Sequence, residues 1–84
     1  MTRPVKRSFS IDGHRTSISL EAAFWTALKT AAAEDQIAIA ALVAKIDKER
    51  GTAGLSSAVR VWLLHRLETR TLEARAAALR IPAE

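Results

Sequence analysis

The chain has no cysteine, which excludes disulfides, thiolate nucleophiles and cysteine metal sites. Its only glycines are Gly13, Gly51 and Gly54, too few and too scattered to form a phosphate-cradling loop. Aromatics make up 5% of the 84 residues, with no tyrosine, so Phe9, Phe24, Trp25 and Trp62 are the only large rings that can anchor a core. No apolar run approaches the ~20 residues that span a bilayer. The basic N-terminus is not followed by the apolar stretch of a secretory signal. These absences point to a soluble, cytoplasmic protein.

The apolar fraction is 49%, too high for a chain disordered by composition. Alanine dominates it, however, and alanine buries little area. One domain of this length lies near the lower limit for a self-sufficient core, so a second copy of the chain is expected to complete the burial. Charge is uneven along the sequence. Arg3, Lys6, Arg7 and Arg15 face a single anion, Asp12, within the first 20 residues. A basic leading segment suits contact with phosphate.

Residues 1–5 read as a flexible basic arm. From Lys6 the pattern alternates, and Asp12-Gly13 interrupts it. An Asp-Gly pair between alternating runs predicts a β-hairpin, because a type I′ turn needs positive φ at both positions. A two-residue turn pairs Ile11 with His14, Phe9 with Thr16 and Arg7 with Ile18, and paired residues share a face. Phe9, Ile11, Thr16, Ile18 and Leu20 then form a core face. Lys6, Ser8, Ser10, Arg15, Ser17 and Ser19 form the other, made of hydroxyls and cations.

After Glu21 the period becomes helical. Phe24, Ala27, Leu28, Ala31 and Ala32 fall on one stripe, which ends at Glu34-Asp35-Gln36 without a glycine. Leu42, Val43 and Ile46, with Ile39, mark a second amphipathic helix. Gly51 to Gly54 is a break, and Ser56 or Ser57 is the expected cap of a third helix. That helix carries Val59, Val61, Trp62, Leu63, Leu64 and Leu67 around most of its circumference, which predicts burial on most sides, between two subunits. Beyond Thr71 it turns to alanine, arginine and glutamate, and Pro82 ends it. The fold class is therefore α+β: a hairpin followed by three helices, with a domain over 6–80 and a tail over 81–84.

Catalytic chemistry finds no support. His14 and His65 lie on different elements without a ligand partner at metal spacing, and no nucleophile elbow is present. The expectation is a protein that is not an enzyme and uses neither cofactor nor metal. Arg60, Arg66 and Arg70 are expected to be solvated or paired with glutamates.

The stretch Arg15-Thr16-Ser17-Ile18-Ser19-Leu20-Glu21, followed by Phe24-Trp25, resembles the ribbon-helix-helix superfamily of Arc/MetJ type. It is similar in particular to a bacterial subfamily bearing that signature. The resemblance covers roughly residues 6–67. It implies an intertwined homodimer in which one strand from each subunit pairs across a two-fold axis and enters the major groove of double-stranded DNA. By position, Arg15, Ser17 and Ser19 are the base-contacting residues. Thr16, Ile18, Leu20, Phe24, Leu28, Leu42, Val43, Ile46 and Trp62 are the core and dimer set. Arg3, Lys6 and Arg7 would meet phosphates. So would the backbone of Ala38 and Ile39, since the family's second helix grips a phosphate with its first amides.

A persistent hairpin makes the dimer's sheet four strands and ~14 Å wide, against a major groove ~12 Å wide. Either the first strand detaches and tracks the DNA backbone, or the sheet face meets something else. The expected function is a sequence-specific DNA-binding transcriptional regulator. The alternative is a protein-interaction module, an antitoxin or assembly subunit, using the sheet face or the third helix.

Overall fold

The computed structural model describes residues 3–80. Two strands, β1 (Val5–Ile11) and β2 (His14–Leu20), precede three helices, α1 (Ala22–Glu34), α2 (Ile39–Glu49) and α3 (Leu55–Leu79). The strands pair antiparallel from Val5 opposite Leu20 to Ile11 opposite His14, with Phe9 opposite Thr16 and Ser8 opposite Ser17, the register expected from the sequence. Asp12 and Gly13 both have positive φ, 50° and 79°, as a type I′ turn requires. The strand begins at Val5, one residue before the alternating pattern starts. The remainder of the expected arm, residues 1–2, and the tail with Pro82 lie outside the described residues.

One sheet face packs onto the helices. Ile11, Ile18 and Leu20 are buried there with Leu28, Leu42, Val43 and Ile46, and Phe9, Phe24 and Trp62 pack against them half-buried. Thr16 is half-buried too. The α1 stripe is rotated from its expected position. Ala27 is exposed, and Trp25 is 4% exposed, buried beside Leu28, Ala31 and Ala32. The cause lies in the hairpin. Trp25 Nε1 donates to the Val5 carbonyl at 2.9 Å, and its ring stacks on Phe9 with centroids 6.0 Å apart. A buried indole needs such an acceptor, and β1 supplies it.

The α1–α2 connection solves a problem that the sequence poses. A helix that ends in a left-handed residue usually has glycine there, and here Gln36 holds φ 58°. The Ile37 amide donates to the Ala32 carbonyl at 3.0 Å and the Gln36 amide to the Ala33 carbonyl at 3.1 Å, the paired bonds of a Schellman motif. A left-handed non-glycine residue costs roughly 1–2 kcal/mol. Gln36→Gly removes that strain but gains entropy in the unfolded chain. Urea denaturation of this variant will show a net stabilisation of about 0.5–1 kcal/mol; a loss of stability would mean that the Gln36 side chain holds the turn.

Neither Ser56 nor Ser57 caps α3. Gly54 is the N-cap residue, with the Ala58 amide donating to its carbonyl at 2.9 Å, so both serines lie inside the helix and Ser56 Oγ instead accepts the Ser19 amide at 3.1 Å. In the single chain α3 is not buried on most sides either. Val59 and Leu63 are buried, whereas Val61, Leu64 and Leu67 stand 47%, 53% and 62% exposed. The helix outruns the body of the protein, and every residue from Leu67 to Arg80 is exposed. The radius of gyration is accordingly 15.5 Å, against ~12 Å for a compact chain of this length.

Ion pairs tie α3 to α1. Arg66 bonds Asp35 at 2.8 Å and Glu34 at 3.3 Å, and Arg70 bonds Glu34 at 2.8 Å. These carboxylates sit at the C-terminal end of α1, where the helix dipole disfavours anions, so the arginines offset a local repulsion. Hydrogen bonds from Arg70 and then Arg66 lower the Glu34 pKa, and the bond from Arg66 lowers that of Asp35. A depressed folded-state pKa contributes stability that is complete above the ordinary carboxylate range and is lost as pH falls through the depressed values. The urea midpoint will therefore drop as pH falls below about 4, and Arg66→Met will make that drop smaller. An identical acid profile in the variant would place the acid sensitivity elsewhere.

Candidate nucleic-acid interface

Alternation along the hairpin sends Lys6, Ser8 and Ser10 from β1, and Arg15, Ser17 and Ser19 from β2, to the face opposite the helices. All are exposed except Ser19, which is half-buried. The Ser8 and Ser17 hydroxyls lie 3.2 Å apart across the strands, so each presents its remaining donor or acceptor capacity outward. This face holds two cations, four hydroxyls and no carboxylate.

The cations of the hairpin differ from those of α3. Among the described residues Lys6, Arg7 and Arg15 make no ion pair, whereas Arg60, Arg66 and Arg70 all do. Arg60 bonds Glu21 through Nε at 3.1 Å and also donates to the Ser19 carbonyl at 3.1 Å. The Glu21 pKa is lowered by a bond to its own backbone amide and then by Arg60. Arg60, Arg66 and Arg70 thus pair with carboxylates on or beside α1 rather than with neighbours on their own helix, and Arg75 makes no ion pair among the described residues. Among the same residues Lys6 and Arg15 stand without an ion pair on the outer face of the hairpin, as Lys29, Lys45, Lys48 and Arg75 do on the helices.

The expected phosphate-contacting residues are not brought onto one face. Lys6 belongs to the outer face and Arg3 precedes β1. Arg7 is paired with Ile18 on the helix side, its guanidinium 5.1 Å from the Trp25 ring centroid. Ala38 is the N-cap of α2 without a side-chain cap bond. The first helical bond runs from the Leu42 amide to the Ala38 carbonyl at 3.1 Å, which leaves the amides of Ile39, Ala40 and Ala41 without a helical acceptor.

The second edge of β2 sets what the strand can pair with. In a two-residue hairpin the residues flanking the turn exchange both hydrogen bonds, so His14, Thr16, Ile18 and Leu20 aim their backbone at β1. Arg15, Ser17 and Ser19 aim theirs at the opposite edge. There the amide and carbonyl of Ser19 are taken by Ser56 and Arg60. The sheet has two strands, so Arg15 and Ser17 present an open stretch of edge. The Ser56 and Arg60 contacts bridge residues 37 and 41 positions apart and leave no periodic trace in the sequence beyond the pair of serines opening α3.

A polar two-stranded ribbon whose inner face packs onto short amphipathic helices defines a class of small β-ribbon proteins. The model of the ribbon-helix-helix domain family matches residues 4–67, and the chain belongs to that family. Such domains typically dimerise, are non-enzymatic, and generally bind DNA as transcription regulators or antitoxins. No curated protein and no solved structure matches the chain. Among the described residues no helix is long and apolar enough to cross a membrane.

Proposed function

We propose that the chain is a bacterial, cytoplasmic, sequence-specific DNA-binding transcriptional regulator that acts as a homodimer through a β-ribbon. The observation that carries this reading is the composition of the outer hairpin face, where Lys6 and Arg15, neither in an ion pair, stand among four serine hydroxyls with no carboxylate. Two β2 strands would lie antiparallel along the Arg15–Ser17 edge. Arg15 can fork onto guanine N7 and O6, and the hydroxyls of Ser17 and Ser19 can donate to or accept from several base edges. Arg3, Lys6 and Arg7, with the backbone of Ala38 and Ile39 at the start of α2, would meet phosphates.

The hairpin bears on how the sheet would approach DNA. β1 is paired along its whole length and bonded to Trp25, so it moves with β2 rather than detaching. A twist of ~20–25° per strand sets the outer strands of a four-stranded sheet at an angle to the central β2 pair, so only that pair would run along a groove. Selection from a random duplex library tests the reading: a homodimer will enrich two symmetric half-sites, and failure to enrich any sequence would overturn it.

The width of that sheet, ~14 Å for four strands, favours a second reading, in which the sheet face holds a partner protein and the chain is an antitoxin or assembly subunit. A stoichiometric protein that co-purifies with the chain free of nucleic acid would favour this reading over the first.

A further inference from the structure

Along the outer edge of β2, Arg15, Ser17 and Ser19 turn their amides and carbonyls away from β1. At Ser19 both groups are spent inside the chain. The amide donates to Ser56 Oγ at 3.1 Å, and the carbonyl accepts from Arg60 Nη2 at 3.1 Å. Arg60 is itself fixed, by bonds to Glu21 at 3.1 and 3.4 Å and by the Phe24 ring, whose centroid is 5.8 Å away. A further strand can therefore bond this edge only at Arg15 and Ser17.

That restriction separates the ways in which two copies of β2 can pair. Opposed residues exchange both hydrogen bonds only where each turns its backbone to the shared edge. A two-fold axis at Ser17 sets Arg15 opposite the partner's Ser19, whose groups are taken, and strands the Arg15 amide and carbonyl. An axis at Arg15 sets two guanidinium side chains directly opposite, which is destabilising, and puts Ser17 against the turn at Gly13, where φ is 79°. An axis at Thr16 sets Arg15 opposite the partner's Ser17 in both directions. Every open amide and carbonyl at Arg15 and Ser17 then finds an acceptor or donor.

The inner face favours the same axis. It brings the two copies of Thr16 together, and Thr16 is half-buried in the single chain, with surface left to cover. Opposed threonines also hydrogen-bond across strands. An axis at Ser17 would instead place Thr16 against the partner's Ile18, a residue 0% exposed within its own chain.

We propose that Ser56 and Arg60 are positioning residues: by closing the Ser19 edge they set the register of the ribbon, with Arg15 opposite the partner's Ser17 and the axis at Thr16. This rests on the reading of the chain as a β-ribbon homodimer. On the outer face the Cβ atoms of Arg15 and the partner's Ser17 then lie ~4.5–5.5 Å apart. A guanidinium and a hydroxyl from different copies thus meet neighbouring base edges as one unit.

The absence of cysteine permits a direct test on the full-length protein. Arg15→Cys and Ser17→Cys are made at exposed positions; each is oxidised alone and after co-expression with the other. Opposed positions lie ~5.5 Å apart at Cα, within disulfide reach, whereas diagonal ones lie ~7–8 Å apart. The expected result is a disulfide in the co-expressed pair and none in either variant alone. Cross-linking of Ser17→Cys alone or Arg15→Cys alone puts the axis at that residue and overturns the register. No cross-link in any sample that sediments as a dimer overturns it too.

Repeating the oxidation with Ser56→Ala and Arg60→Met added tests the positioning role. Ser19 is freed, and Ser17→Cys alone is expected to cross-link. An unchanged pattern, with far-UV circular dichroism also unchanged, shows that other contacts set the register and overturns the role. Ser56→Ala by itself keeps the Arg60–Glu21 pair and frees only the Ser19 amide, so it gives part of the same shift should the double substitution not fold. A different register in a dimer that still binds DNA removes this proposal and leaves the ribbon reading standing; a monomer at every concentration removes both.

Discussion

Trp25→Ala will destabilise the protein by about 3–5 kcal/mol, the usual cost of deleting a large buried aromatic. Total stability for a chain of this size is on the order of 5–10 kcal/mol, so the variant will be largely or partly unfolded at 37 °C. The size of the effect follows from what Trp25 joins. Its ring lies 4% exposed against Leu28 and the core, stacks on Phe9 and carries the Arg7 guanidinium on its face. Its Nε1 donates to Val5. Removing the side chain deletes core volume and the clamp on β1 together. Trp25→Phe separates the two: it keeps most of the apolar contact and loses the bond to Val5, at about 1–2 kcal/mol. Hydrogen exchange in this second variant will speed up at the amides of β1 before those of α2. Uniform exchange across the protein would show that β1 does not depend on the tryptophan.

Arg15→Ala will relax sequence preference in DNA binding more than any other single change. A forked arginine–guanine contact is worth about 1–3 kcal/mol of discrimination, roughly 5- to 150-fold, and a homodimer holds two. Arg15 makes no ion pair among the described residues and is exposed, so its removal will leave the thermal midpoint nearly unchanged. Lys6→Ala will behave differently. Its loss will weaken binding to all duplexes alike, as removal of a phosphate contact does. Competition between a selected duplex and a scrambled one resolves the two variants. Equal loss on both duplexes for Arg15→Ala would remove it from the base-reading set.

The hairpin could be read because its determinants are local. Asp12-Gly13 demands positive φ, strict alternation fixes the faces, and the two together leave one register. The α2 face was equally plain, with Ile46 one turn beyond the adjacent Leu42 and Val43 and charges elsewhere. The α1 face was not. Phe24 and Trp25 are adjacent, so periodicity tolerates either as the inward ring, and the acceptor that decides the matter is Val5, 20 positions away. The α1–α2 turn was obscured for another reason: glycine is the usual signal of a left-handed helix end, and the chain uses Gln36 there.

The outer face of the hairpin, with Arg15, Ser17 and Ser19, followed from alternation. The covering of the Ser19 edge by Ser56 and Arg60 did not, because nothing in a linear pattern reports which helix returns to a strand edge. That covering has a physical rationale. An open strand edge invites unwanted pairing, and α3 closes one end of it while leaving Arg15 and Ser17 free.

DNA binding by this chain requires the cations and hydroxyls of the hairpin to meet a nucleic-acid backbone and its bases. The most direct measurement is the affinity for a selected duplex over a salt series, made with the natural chain and with Lys6 and Arg15 both replaced by alanine. The natural chain will show log affinity falling linearly with log salt, with a slope near −0.9 per phosphate contacted, and the doubly substituted chain will show a shallower line displaced to weaker binding. Superimposable lines, or no binding by the natural chain at low salt, would contradict it.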